Sequence, residues 1–275
     1  MSVALVAIAK MEHHYIEEWV RYNLHIGFDS IYIYENDDEP KYAEMLQSFP
    51  QVTVIRYPGP GTPVRSVQYH MLNDFCRDYK DKHKWIAHFD LDEFLVLKKH
   101  KTIHEFCNEY LGNNEGGIAV CWAHFGDNGH TTYSPEPVTF RFTKRENLET
   151  LQYTFVKCIV CTSCIRKYTD FHIPDLSGGI IKTTSGTVVG SRQTSNFSYD
   201  VAQLNHYLCK SWGEFQRKKI RGQAGLPSTH PNRFGKAPGG RYSKEFFDQN
   251  NKNEVDDFLA KTIYEECLTK TRIPE

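Results

Sequence analysis

The chain has 275 residues, 40 % of them apolar and 24 % charged, with a formal net charge of −1 and a pI of about 6.9. That length suits one large α/β domain or a domain with a tail, and the composition is that of an ordinary soluble globular protein. There is no global basicity to suggest nucleic acid, no polybasic run to suggest a membrane surface, and no apolar stretch as long as a membrane span.

The first apolar run, residues 3–9, is short. It has no basic segment before it and runs into Lys10 and Glu12, so it reads as a buried first strand rather than a signal peptide. Eight cysteines without a secretory signal fit free thiols in a reducing compartment, and a cytoplasmic location is expected. Ile16, Trp19, Val20 and Leu24 recur at helical spacing, and Gly27 is a natural stop. Residues 30–34 form a second strand that ends in Glu35-Asn36-Asp37-Asp38. A short helix over 41–48 and a strand over 52–57 follow. The Pro/Gly run 58–63 then breaks regular structure, and a helix over 64–80 leads into the next strand. This β-α alternation argues for a parallel sheet with right-handed crossovers.

The stretch 84–97 organises the rest. An apolar run ends in Asp90, Asp92 and Glu93, and a second apolar run follows at once. It reads as a buried strand delivering acids to its carboxyl end, where open α/β sheets bind ligands. Strand alternation would put Asp90 and Asp92 on one side, able to share a Mg²⁺ or Mn²⁺ ion. Three acids so placed repel one another without a cation or a basic partner. The plain alternative is a solvated acidic turn.

Beyond it, a helix is expected over 103–111 and a strand over 117–122. Strand-like stretches lie at 138–142 and 155–165, a hairpin or meander over 178–192, and a strand over 203–208. A basic amphipathic helix covers 212–220, a Gly/Pro-rich loop 222–240, and a packing helix 254–268. Cys158, Cys161 and Cys164 have a metal-site spacing. On a strand, however, Cys161 would face away from the other two, so buried thiols are favoured.

A cation on the acids would need a partner, and a nucleotide diphosphate suits it. Lys210, Lys218 and Arg221 are candidate phosphate ligands or a solvated helix face, and His206 a ligand or a packed histidine. Glu35 could meet a ribose or base and Arg65 a diphosphate, or each could be an ordinary turn residue. Trp122, His124, Asp127 and His130 lie on a segment after a strand, where an aromatic ring, imidazoles and an acid could seat a sugar acceptor.

Taken in order, five blocks look familiar. They are Lys10-Met11-Glu12 with Ile16-Glu17-Glu18-Trp19; the run from Gly27 to Tyr34; the run from Trp85 to Phe94; Trp122 with Phe125-Gly126 and Gly129-His130; and Asn205-His206-Tyr207 with Lys210-Ser211, Phe215, Lys218 and Arg221-Gly222. The chain resembles the GT-A glycosyltransferases of the GT2-like group marked by Asp-x-Asp-Glu-Phe, once a domain of unknown function. The resemblance implies a GT-A fold over 1–222, with a nucleotide-binding half (1–115), an acceptor-side half (116–222) and a C-terminal loop and packing helix (223–275). It implies Asp90, Asp92 and His206 around Mn²⁺ or Mg²⁺. Lys210, Lys218 and Arg221 would hold phosphates, and Lys10, Glu12 and Glu35 would line the nucleotide pocket. Trp122, His124 and His130 would face the acceptor. Met11 departs from the Lys-Asn-Glu frequent there, and Glu35-Asn36 from Asp-Asn. No stem or anchor is recognisable.

The expected activity is transfer of a sugar from a nucleotide sugar, UDP-linked, to a hydroxyl of a glycan or glycoconjugate, with inversion. Inversion needs a base, for which Asp127 stands first, then Asp170 and Asp175. The rivals are a nucleotidyltransferase, disfavoured because no glycine follows the first strand, and a silent glycan- or nucleotide-binding module, which needs no acids.

Overall fold

A computed structural model of the chain describes residues 2–111, 116–235 and 240–270. The first half alternates as the sequence implies: β1 (Val3–Ala9), α1 (Ile16–His25), β2 (Ser30–Glu35), α2 (Tyr42–Met45), β3 (Val52–Arg56), α3 (Val67–Tyr79), β4 (Trp85–His88), β5 (Glu93–Leu97) and α4 (Ile103–Leu111). Then come β6 (Gly116–His124), α5 (Val138–Arg141), β7 (Lys144–Arg145), β8 (Thr154–Cys161), β9 (Ile165–Tyr168), β10 (Pro174–Leu176), β11 (Ile180–Thr183) and β12 (Gln193–Thr194). The chain continues with β13 (Ala202–His206), α6 (Trp212–Arg221), α7 (Lys244–Asn250), β14 (Val255–Asp256) and α8 (Leu259–Lys270).

The main sheet runs β3-β2-β1-β4-β8-β6-β13-β5, with β11 on β6 and β12 on β8. β1 to β4 are mutually parallel, and β6 is parallel to β13 and β11. β8 runs against both β4 and β6. The carboxyl ends of β1, β2, β4, β6 and β13 therefore share one rim. β1 shows why the sheet is a core element. Val3, Leu5, Ala7 and Ala9 enter one apolar cluster with α1, α4 and α8, while Ala4, Val6 and Ile8 enter another with α3.

β4 and β5 are four positions apart in the sheet, about 19 Å if it were flat. Only residues 89–92 join them, and even fully extended they reach about 18 Å. The sheet must curl at the rim, and the acidic turn closes it.

Some expectations are corrected. Residues 138–142 are not a strand. The buried Glu18 carboxylate accepts from the backbone N–H of Val138 (2.6 Å) and Thr139 (2.9 Å), which nucleates the short helix α5 after Pro137. The last helix starts at Leu259, because Val255 and Asp256 pair with β7 and the Asp257 carboxylate accepts from Leu259 N–H. Within 178–192 the chain does turn back, with Lys182 bridging Val188, but β11 joins the main sheet parallel to β6. Cys161 does not part from Cys164. The 3-10 turn at Thr162–Cys164 resets the alternation, so those two share one apolar cluster and Cys158 lies in the other. The eight cysteines are buried and form no disulfide. Residues 236–239 of the expected loop lie outside the described residues. No helix among the described residues is long and apolar enough to cross a membrane.

The C-terminal segment is built into the rim. Asn251 Oδ1 accepts from Asp127 N–H (2.7 Å), and Asn253 Oδ1 accepts from Asn128 N–H (2.9 Å). A Cβ on Gly126 would run into the Lys252 carbonyl and the Asn253 side chain. Gly126→Ala is expected to cost about 2 kcal/mol and lower Tm by roughly 4–8 °C in a circular-dichroism melt. An unchanged Tm would mean that the segment does not press on the rim.

Candidate active site

The rim gathers the segments that follow β1, β4, β6 and β13. The acidic turn is fixed first. Trp19 Nε1 donates to the Glu93 carbonyl (2.9 Å), Tyr207 N–H donates to the Asp92 carbonyl (2.8 Å), and Asp90 N–H donates to Glu93 Oε2 (2.9 Å). Glu93 is fully buried, and burial, with Asp90 and Asp92 nearby, pushes its carboxyl well above the usual range.

Each aspartate has its own cation. Asp90 accepts from Lys157 Nζ (3.0 Å) and Gln68 Nε2 (2.7 Å), with His88 Nε2 at 3.8 Å. Asp92 accepts from Lys218 Nζ (2.6 Å) and faces His206 Nε2 at 3.7 Å. Burial alone would raise both carboxyls. The Lys157 ammonium outweighs it at Asp90, and the Lys218 ammonium at Asp92, so both are held below the ordinary value. Strand alternation therefore does not describe the pair. The residues between β4 and β5 form a turn, and the two carboxylates engage different bases. Among the described residues no three His, Cys, Asp or Glu side chains gather as a metal group.

His206 is buried, and burial holds its imidazole well below its ordinary value, in the neutral form that ligates metals. Its Nδ1 is buried without a hydrogen-bond partner, and Nε2 is the atom turned to Asp92.

Beside this turn lies a cleft between the β1–α1 segment and α6. Met11, Glu12, His14 and Tyr15 form one wall; Lys210, Glu214, Arg217, Lys218 and Arg221 form the other. Lys210 Nζ is buried, has no hydrogen-bond partner and sits 4.1 Å from the Tyr15 ring centroid. Burial, reinforced by Lys218, lowers its ammonium to about 7. Arg221 bonds the Glu12 carboxylate and the Lys10 carbonyl. Behind the cleft, Arg141 grips Glu214 with two bonds of 2.9 Å, both side chains fully buried, and Tyr15 donates to Glu214 at 2.8 Å. Ser211 and Glu214 close a capping box on α6. Met11 (φ 58°) and Lys210 (φ 50°) face each other in left-handed backbone, rare for such residues and often kept at functional sites.

Sequence reasoning thus places Asp90, Asp92, His206, Lys210, Lys218, Arg221 and Glu12 in one region. Other residues go elsewhere. Glu35 is spent on α2: its Oε1 accepts from Lys41 N–H (2.5 Å) and Tyr42 N–H (3.0 Å), so it is not a free nucleotide contact. Lys10 pairs with exposed Asp38 at 3.4 Å. Arg65 is exposed and lies over the Tyr69 ring, 4.6 Å away. Trp122 is 9 % exposed and packs on His206 (4.1 Å), His172 and Phe155, so it offers no open stacking face. His124 Nδ1 lies 3.1 Å from Glu146 Oε1, its ring 5.3 Å from that of His206. His130 packs edge-on against Phe142. Asp127 Oδ1 takes Gly129 N–H and Asn253 Nδ2, Asp170 caps His172 N–H, and Asp175 binds Arg166 and Thr169 on the β9–β10 pair. Sequence reading missed Lys157, Gln68, and the Tyr15–Glu214–Arg141 network. Lys157 had a signal: a lone lysine inside the apolar strand Val156-Lys157-Cys158-Ile159-Val160 must find an acid.

Lys157→Met should strip Asp90 and Glu93 of their buried cation and cost about 3–5 kcal/mol in urea unfolding; a loss under about 1 kcal/mol would deny Lys157 that role. Met11→Asn, which suits left-handed backbone, should stabilise the chain by about 1 kcal/mol in the same measurement; a loss would mean the Met11 side chain contributes more than its strain costs.

The family model described as glycosyltransferase family 92 matches residues 3–267. A glycosyltransferase family 92 protein of Ricinus communis is 22 % identical over 225 residues, 80 % of this chain and 38 % of its own length. One of Oryza sativa subsp. japonica is 21 % identical over 221 residues, 79 % and 35 % of the two chains. The chain thus spans less than two-fifths of the length of these relatives. Among solved structures, Staphylococcus aureus TarS 1-349 aligns with a TM-score of 0.36 at 13 % identity, over 60 % of this chain and 48 % of that one. HddC from Yersinia pseudotuberculosis aligns with a TM-score of 0.39 at 8 % identity, over 66 % and 88 %. The α/β architecture rests on the strand order and pairing of the sheet itself. With a family model spanning nearly all of it, the chain belongs to glycosyltransferase family 92.

Proposed function

We propose that this chain transfers a sugar from a nucleotide sugar, UDP-linked, to a hydroxyl of a glycan or glycoconjugate. The observation that carries the reading is the cleft. Lys210 presents a buried amine with no partner, flanked by Lys218 and Arg221, beside a carboxylate–imidazole pair. A buried amine without a hydrogen-bond partner is costly, and a diphosphate would satisfy it.

Asp92 and His206 are the residues we assign to Mn²⁺ or Mg²⁺. The donor set fits: a carboxylate oxygen and a neutral imidazole nitrogen 3.7 Å apart suit a manganese-type ion that takes its remaining ligands from phosphate and water. A cation there would offset charge developing on the leaving diphosphate. Lys157 holds Asp90 beside that pair as an anionic neighbour.

The acceptor belongs on the β6 rim. Glu146 orients His124 next to His206, and His124 is the residue we assign to the acceptor hydroxyl. Asp127, three residues on, keeps one carboxylate oxygen outside its turn bonds and is the base we assign for inversion.

Isothermal titration with UDP tests the donor site. Binding should tighten about tenfold or more with Mn²⁺, and Asp92→Asn should abolish that gain in protein that circular dichroism shows to be folded at the assay temperature. UDP binding indifferent to Mn²⁺ would remove the metal from the reading; no UDP binding at all would remove the donor class. In a screen of nucleotide sugars for slow hydrolysis, Asp127→Asn should lower kcat about 100-fold with UDP affinity unchanged. Unaltered kcat would move the base elsewhere.

A further inference from the structure

Lys218 and Asp92 are fixed on each other, yet the proposed function needs both for other partners. Lys218 Nζ donates to Asp92 Oδ2 and to the Leu208 carbonyl, both at 2.6 Å. The two side chains are 9 % and 11 % exposed. Lys218 also lines the cleft into which the unpartnered Lys210 amine projects. One carboxylate thus stands between an ammonium on one oxygen and His206 on the other.

We infer that Lys218 is a resident counter-ion of Asp92, displaced when a divalent cation binds there and redirected to the donor diphosphate. This rests on the reading of Asp92 as a metal ligand. The argument is charge balance. A single buried carboxylate cannot neutralise an ammonium in contact with it and a divalent ion as well, and the two cations would repel across a few ångströms of low-dielectric interior. The lysine need not move far. Its ammonium already stands at the cleft wall, on a flexible four-carbon stem in the last turn of α6. A diphosphate in the cleft would hold it off Asp92. By reciprocity, nucleotide then favours metal by the factor with which metal favours nucleotide. Without nucleotide, Lys218 competes with the metal and keeps the free site weak for cations.

The test is Mn²⁺ affinity, read from the electron paramagnetic resonance of free Mn²⁺, for wild type and Lys218→Met, each with and without saturating UDP. Without UDP, Lys218→Met should bind Mn²⁺ about tenfold more tightly than wild type, and the gain in Mn²⁺ affinity on adding UDP should shrink by a similar factor. Equal or weaker Mn²⁺ binding by the variant, with a binding wild type, overturns the counter-ion role. Absence of Mn²⁺ binding to wild type even with UDP instead overturns the metal reading on which it rests. Should Lys218→Met fail to fold, acetylation footprinting of the wild-type protein decides. Lys218 should become about threefold more reactive in saturating Mn²⁺ and be protected again by UDP; no change on adding Mn²⁺ overturns the proposal.

Discussion

The whole rim depends on how one turn of acids is kept in a folded protein. Asp90, Asp92 and Glu93 sit between two buried strands, and their mutual repulsion has to be met from outside the turn. The answer comes from two elements distant in sequence. Lys157 of β8 meets Asp90 and Glu93, and Lys218 of α6 meets Asp92. Those two contacts tie β8 and α6 to the turn. They also explain why β8 carries a lysine in an otherwise apolar run.

A second polar network stands behind the first. Arg141 of α5, Glu214 of α6 and Tyr15 before α1 are tied by short bonds among fully or nearly buried groups. Because the Glu18 carboxylate of α1 caps α5, and Arg141 of α5 grips Glu214 of α6, the three helices are linked in one chain ending at the cleft. The left-handed residues Met11 and Lys210 lie where that chain meets the acidic turn. Supports of this kind hold backbone strain in place, and one of the two strained residues here, Lys210, carries the unpartnered amine.

Much of this was legible in the sequence. The β-α alternation, the buried first strand and the acids at a strand end follow from periodicity and breakers alone, because local pattern and tertiary packing agree there. The cluster of Asp92, His206, Lys210 and Lys218 was reached by chemistry of residue type and by resemblance. What failed did so where a distant side chain decided local structure. Residues 138–142 look like a strand until Glu18 caps them, and Glu35 looks free until α2 claims it. Trp122 has the residue type of a sugar platform, but burial against His206 is invisible in one dimension. Alternation misled at Asp90 and Asp92 because it assumes a strand where the chain makes a turn.

The hold of the C-terminal segment on the β6 rim has a bearing on how the molecule comes into being. Asn128 and Asn253 are bonded across 125 residues of chain, and Asp127 is fastened in the same way to Asn251. On a ribosome, both walls of the cleft are present as soon as α6 emerges. The β6 rim would wait for residues 251–253, so a nascent chain would complete the cleft before that rim was fastened.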